Sequence, residues 1–150
     1  IETVEAHHKH SYRMIYKIRN HKDLITRYDS LFLDDDPDII VVAYGTPSRT
    51  VKTAVKKARE KGQKIGMVRL VSLWPFPDEA FQKKAIYLSV ELDYDGQMVR
   101  EVQRAAAADS DIHFFGKCGE LPTVAELHET FDKLLKGEPI TRIGWEREAW

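Results

Sequence analysis

Four short segments combine residue types that could hold an anion, cap a helix or meet a partner. Gly45-Thr46-Pro47-Ser48-Arg49 offers hydroxyls, backbone amides and a guanidinium directly after an apolar run, the makings of a phosphate loop at a helix start. It lacks the G-x-G-x-x-G and P-loop spacings, and Pro47 removes one amide from any such nest, so capping chemistry by Thr46 is the expected role. Leu73-Trp74-Pro75-Phe76-Pro77 sets two large rings between two X-Pro steps, a stiff extended hinge. One ring is expected in the core and the other at an interface. Asp93-Tyr94-Asp95-Gly96-Gln97 is a turn opening a helix, with Asp95 as the expected cap and Asp93 and Gln97 able to reach a partner. Gly116-Lys117-Cys118-Gly119-Glu120-Leu121-Pro122 is a further turn, in which Lys117 is expected to be solvated. These residues are candidates for a ligand edge or an interface, and none is assigned as catalytic.

Sharper constellations do not close. His7, His8 and His10 could bind a metal, but no carboxylate or cysteine completes a site at a sensible spacing. Cys118 could be a nucleophile, yet no signature places His113 or His128 beside it as a base. Lys52, Lys56, Lys57, Arg59 and Lys61 lie mostly opposite the apolar face of their helix, as a solvated face does. The formal net charge of -1 gives no global field for nucleic acid or an anionic membrane. One cysteine cannot form an intrachain disulfide, nor hold an iron–sulfur cluster, which takes about four. No apolar run reaches the ~18 residues of a membrane span, and a reducing, cytoplasmic setting is expected.

The elements that must position these segments follow from periodicity. The chain has 150 residues, 43% hydrophobic and 31% charged, the size and balance of one packed domain. Residues 1–33 read as a basic amphipathic connector: Tyr12, Ile15, Ile18, Ile25 and Tyr28, continued by Leu31 or Phe32, form one helical stripe. Asp34-Asp35-Asp36-Pro37 marks a boundary. Strands are expected at 38–44, 64–71, 84–92 and 112–115, with helices after Pro47, around Met98–Ala106 and along Val124–Leu135. Such alternation is the pattern of βαβ units, a mostly parallel sheet covered on both faces, over 34–136. Residues 137–150 form a tail, with Trp145 and Trp150 as docking points. In such a sheet ligands and partners meet the carboxyl ends of the strands, where all four segments fall. Because the chain opens with Ile1 rather than Met, it is expected to be a piece of something longer.

Taken in order, Ile40-Val41-Val42-Ala43-Tyr44-Gly45-Thr46, the run from Met67 to Pro77, Leu88-Ser89-Val90-Glu91-Leu92 and Gly96-Gln97-Met98 resemble one known domain. It is the C-terminal domain of the α subunit of 2-oxoacid:ferredoxin oxidoreductases, most closely the 2-oxoglutarate type. The Tyr12–Tyr28 segment resembles that subunit's connector, and Gly119–Thr123 with Glu126-Leu127 its last turn and helix. The resemblance implies a transketolase C-terminal-like fold, a three-layer α/β/α arrangement whose mixed sheet has one strand running against the others. It also implies a complex that turns a 2-oxoacid and coenzyme A into acyl-CoA and carbon dioxide while reducing ferredoxin. Thiamine diphosphate, magnesium, iron–sulfur clusters and coenzyme A are implied for the complex, and none is expected on this chain alone. Its partners would be other domains and subunits, with ferredoxin met indirectly and a homodimer allowed. One departure stands out: Asp93-Tyr94-Asp95-Gly96-Gln97 stands where relatives often carry Asn-Leu-Gly-Gln. Two other readings compete, a phosphoacceptor receiver using Asp93 and Lys117, and a small flavin- or nucleotide-binding enzyme using Gly45–Ser48. The acidic triplet precedes the first of these strands instead of following it, against the receiver; Pro47 weighs against the second.

Overall fold

The computed structural model describes residues 3–140. Two helices, α1 (Val4–Arg19) and α2 (Lys22–Ile25), lead into strand β1 (Tyr28–Leu31). The order continues β2 (Ile39–Tyr44), α3 (Pro47–Glu60), β3 (Ile65–Leu70), a 3-10 turn (Asp78–Phe81), β4 (Ile86–Glu91), α4 (Met98–Ala105), β5 (Asp111–Gly116) and α5 (Val124–Leu135). The sheet order is β1-β3-β2-β4-β5. Strands β2 to β5 pair in parallel, and β1 runs antiparallel to β3, with Tyr28 opposite Leu70 and Leu31 opposite Met67.

The single-helix reading of Tyr12–Tyr28 is therefore corrected. Helix α1 ends at Arg19, and Tyr28 and Leu31 belong to the sheet's edge strand. The spacing that suggests a helix stripe comes from two elements of different period. A seven-residue step from Ile18 to Ile25 cannot tell them apart. Ser72 fastens the junction: its hydroxyl donates to Ile25 O at 2.6 Å and accepts from Arg27 N at 3.1 Å. The readings of Trp145 and Trp150 lie outside the described residues.

Strands β2 and β4 lie inside the sheet with helices on both faces, which is why they read as continuous apolar runs. Side chains alternate across the pleat. Ile39, Val41, Ala43, Leu88 and Val90 face α3 and α5, meeting Val51, Ala54, Leu127 and Phe131. Ile40, Val42 and Tyr87 face α4 and the 3-10 turn, meeting Met98, Val102 and Phe81. Each fully buried large aliphatic or aromatic side chain stabilises the fold by roughly 1.5–3 kcal/mol. Helix α1 by contrast buries no residue against the other described residues.

Candidate functional site

The carboxyl ends of β2 to β5 carry the four segments read from the sequence, and the structure sorts them into separate environments. Between β4 and α4 the organising residue is Glu91, only 1% exposed at the end of β4. Its carboxylate accepts from the backbone amides of Gln97 (2.9 Å), Met98 (2.7 Å) and Val99 (2.8 Å) and from the Ser89 hydroxyl (2.8 Å). Those amides are the first turn of α4, which otherwise has no partner for them. Asp93 Oδ1 accepts from Gly96 N at 2.6 Å, while its Oδ2 is buried without a hydrogen-bond partner. Gly96 holds a φ of +71°, a conformation in which a side chain is strained, and a Cβ there would meet Val99 Cγ1 at 2.6 Å.

Burial pushes the Glu91 carboxyl above the usual carboxylate range, and the neighbouring Asp93 carboxyl adds to it, against the downward pull of the helix amides. Burial also raises the Tyr44 phenol at the end of β2, with the charges of Glu91 and Asp93 contributing. The expected capping role of Asp95 is corrected. Asp95 pairs with Arg100 at 2.7 Å on the exposed surface, and Gln97 supplies no side-chain cap. Glu91 lies six to eight residues before the amides it satisfies, so no local motif marks it. The available signal is a carboxylate ending the apolar run Leu88–Glu91.

At the tip of β5, Lys117 is 8% exposed, which corrects the expectation of a solvated side chain. Its ammonium donates to Glu126 at 2.8 Å and pairs with Glu120 at 3.0 Å. Glu126 in turn accepts from Thr123 N at 2.7 Å, while the Thr123 hydroxyl accepts from Glu126 N at 3.2 Å, a reciprocal capping box. The Lys117 hydrogen bond, then those from Thr123, draw the Glu126 carboxyl down to about 2. The same carboxylates raise Lys117 above the ordinary lysine range. Cys118 beside it is exposed.

The two rings after β3 part company. Phe76 is 5% exposed and stacks on Phe81 with centroids 5.1 Å apart, whereas Trp74 is 63% exposed. Val71, Leu73, Leu92, Tyr94 and Leu121 are exposed on the same strand-tip loops. These exposed side chains make the strand-tip edge an apolar rim.

At the tip of β2, Gly45 turns the chain at a φ of +60° into α3. Thr46 occupies the cap position but its side chain makes no capping bond, so the expected capping by Thr46 is corrected. A cleft of about 620 Å³ opens here, between the start of α3 and the β1–β3 edge. Arg59, read with the solvated lysines, instead binds Asp35, the Phe32 carbonyl (3.0 Å) and the Ile65 carbonyl (2.7 Å), fixing the loop before β2. Among the described residues no group of three His, Cys, Asp or Glu side chains could hold a metal ion. No described helix is long and apolar enough to cross a membrane.

Known proteins are similar to this sequence over most of its length. A 2-oxoglutarate synthase subunit KorA from Methanothermobacter marburgensis is 40% identical over 119 residues, 77% of this chain and 31% of the relative. The KorA subunit of Methanocaldococcus jannaschii is 39% identical over 125 residues, 83% of this chain and 32% of the relative. The chain thus spans about a third of the length of these curated relatives. Among solved structures, a 2-oxoglutarate:ferredoxin oxidoreductase from Magnetococcus marinus superposes with a TM-score of 0.70 at 18% identity, covering 89% of this chain and 24% of that one. A Pichia stipitis transketolase superposes with a TM-score of 0.52 at 19% identity, covering 82% and 20%. Both show the same fold, the mixed sheet between helix layers. Residues 37–127, more than half of the chain, match the model of the pyruvate:ferredoxin oxidoreductase core domain II, and the chain belongs to that family.

Proposed function

We propose that this chain is the assembly domain of the α subunit of a thiamine-dependent 2-oxoacid:ferredoxin oxidoreductase of the 2-oxoglutarate type. The complex would convert 2-oxoacid and coenzyme A to acyl-CoA and carbon dioxide and pass the electrons to ferredoxin in a cytoplasmic setting. The observation that carries the reading is the strand-tip rim: Trp74, Leu73, Val71 and Leu121 stand exposed on the loops that follow β3 and β5. Exposed large apolar groups along one edge of a sheet suit a protein–protein contact. The kinship to KorA subunits supports the same view, since those relatives are about three times as long as the matched region.

The described residues do not fit the complex's cofactors. Magnesium and the diphosphate it carries need oxygen ligands in a cluster, which is not found among the described residues. A cluster of iron and sulfur needs about four thiolates against the single Cys118. The chain's contribution is positional. Catalysis between domains tolerates little displacement of the reacting groups, so a rim that fixes neighbours sets the rate without touching substrate.

The test is Trp74→Glu in the assembled enzyme. Trp74 is exposed, so the variant is expected to fold, and co-purification of the other subunits by size exclusion is expected to fall together with 2-oxoacid-dependent ferredoxin reduction. Intact assembly in the variant would overturn the proposal.

A further inference from the structure

The cleft at the start of α3 has a composition that the assembly reading leaves unused. Arg49, Lys52 and Arg69 line it against a single carboxylate, Asp29, which is already paired with Arg69 at 2.7 Å. Arg49 and Lys52 form no ion pair among the described residues. The first turn of α3 contains no acidic residue to offset the positive end of the helix. Ser48 lies in the wall of the cleft, 3% exposed, with a buried hydroxyl that has no hydrogen-bond partner. A buried hydroxyl without a partner costs about 1–3 kcal/mol, and an acceptor arriving in the cleft would remove that cost after a single χ1 rotation.

From this geometry we infer that the cleft binds a phosphoryl dianion. The excess of two cations matches a phosphoryl group better than a single carboxylate. Side chains, not an amide nest, carry the recognition. Pro47 has no N–H, and the Ser48 and Arg49 amides already reach the Gly45 and Thr46 carbonyls at 3.3 and 3.2 Å. Gly45 leaves open space at the mouth, since a Cβ there would meet nothing within 4 Å. The cleft lies on the α3 face of the sheet, and Trp74 is not among its lining residues.

The test is titration of the isotope-labelled 150-residue chain with inorganic phosphate at constant ionic strength, followed by the backbone amide resonances of Gly45, Thr46, Ser48 and Arg49. Saturable shifts confined to this loop are expected, with apparent affinity falling about tenfold in the Arg49→Ala/Lys52→Ala double variant and about threefold in Ser48→Ala. Arg49 and Lys52 are exposed, so the double variant is expected to keep the wild-type spectrum elsewhere. Parallel arms with ADP and pyrophosphate locate the source: tighter binding of ADP than of phosphate assigns a nucleotide, equal binding assigns free phosphate. Linear, non-saturating shifts, an undiminished response in the double variant, or tighter binding of an acidic peptide than of phosphate would overturn the inference.

Discussion

Helices α4 and α5 both begin beside a glutamate that satisfies early backbone amides, yet burial and neighbouring charge drive the two carboxyls in opposite directions. Glu126 belongs to the helix it caps, stands partly in solvent, and has the Lys117 ammonium 2.8 Å away. Its carboxyl is drawn down to about 2. Glu91 reaches α4 from the preceding strand, is enclosed by the sheet, and has another carboxyl, Asp93, as its neighbour. Its carboxyl is pushed up, although it accepts as many hydrogen bonds as Glu126 does. Counting hydrogen bonds thus does not predict a carboxyl's titration, because lost hydration and the sign of the next charge outweigh them.

Removing the buried glutamate should have the largest effect. Glu91→Ala leaves the Gln97, Met98 and Val99 amides without their acceptor and is expected to cost about 3 kcal/mol or more in urea unfolding. An unchanged midpoint would show that water replaces the carboxylate, and the contrast with α5 would collapse. Thr123→Ala breaks the capping box at the other helix and is expected to cost about 1 kcal/mol. The acid limb of the stability curve sharpens this arm. Glu126 titrates lower in the folded state than in the unfolded one, so its contribution is complete above the ordinary carboxylate range. It is lost as pH falls towards about 2. Glu126→Gln should flatten the loss of wild-type stability between about pH 5 and pH 2.

Asp93→Asn should have the smallest effect and the opposite sign. It keeps an acceptor for Gly96 N and removes the second carboxyl beside Glu91. Because the Glu91 carboxyl is raised in the folded state, its ionisation weighs on stability only as pH rises above the ordinary carboxylate range. The variant should therefore gain under ~1 kcal/mol at pH 8 and nothing at pH 4. Equal stability at both pH values would show that the two carboxyls do not interact.

The same contrast explains what could be read from the sequence. The strands β2 to β5 and helices α3 to α5 follow from apolar runs and helical stripes, which are local, and so does the placing of all four loops at one sheet edge. Thr123 and Glu126, three residues apart before an apolar stripe, are likewise a local signal. Glu91 as the cap of α4, Lys117 as a buried cation and Arg59 as a loop clamp depend on contacts across elements, for which spacing carries no record. The residue types of Thr46 and Asp95 suit capping. The structure gives the role at α4 to a carboxylate already enclosed there, and leaves Asp95 in solvent with Arg100. The antiparallel β1 was hidden because its Tyr28 and Leu31 continue the phase of α1's stripe.

That edge strand also decides where the chain can be cut. A truncation that begins at residue 28 keeps Tyr28–Leu31 laid along β3. One that begins at residue 34 removes only six more residues but bares the backbone donors and acceptors of Ile65–Leu70 on a largely apolar strand. An uncovered ladder of that kind recruits other molecules into intermolecular sheets, so the shorter fragment would be lost to aggregation while the longer one stays monodisperse.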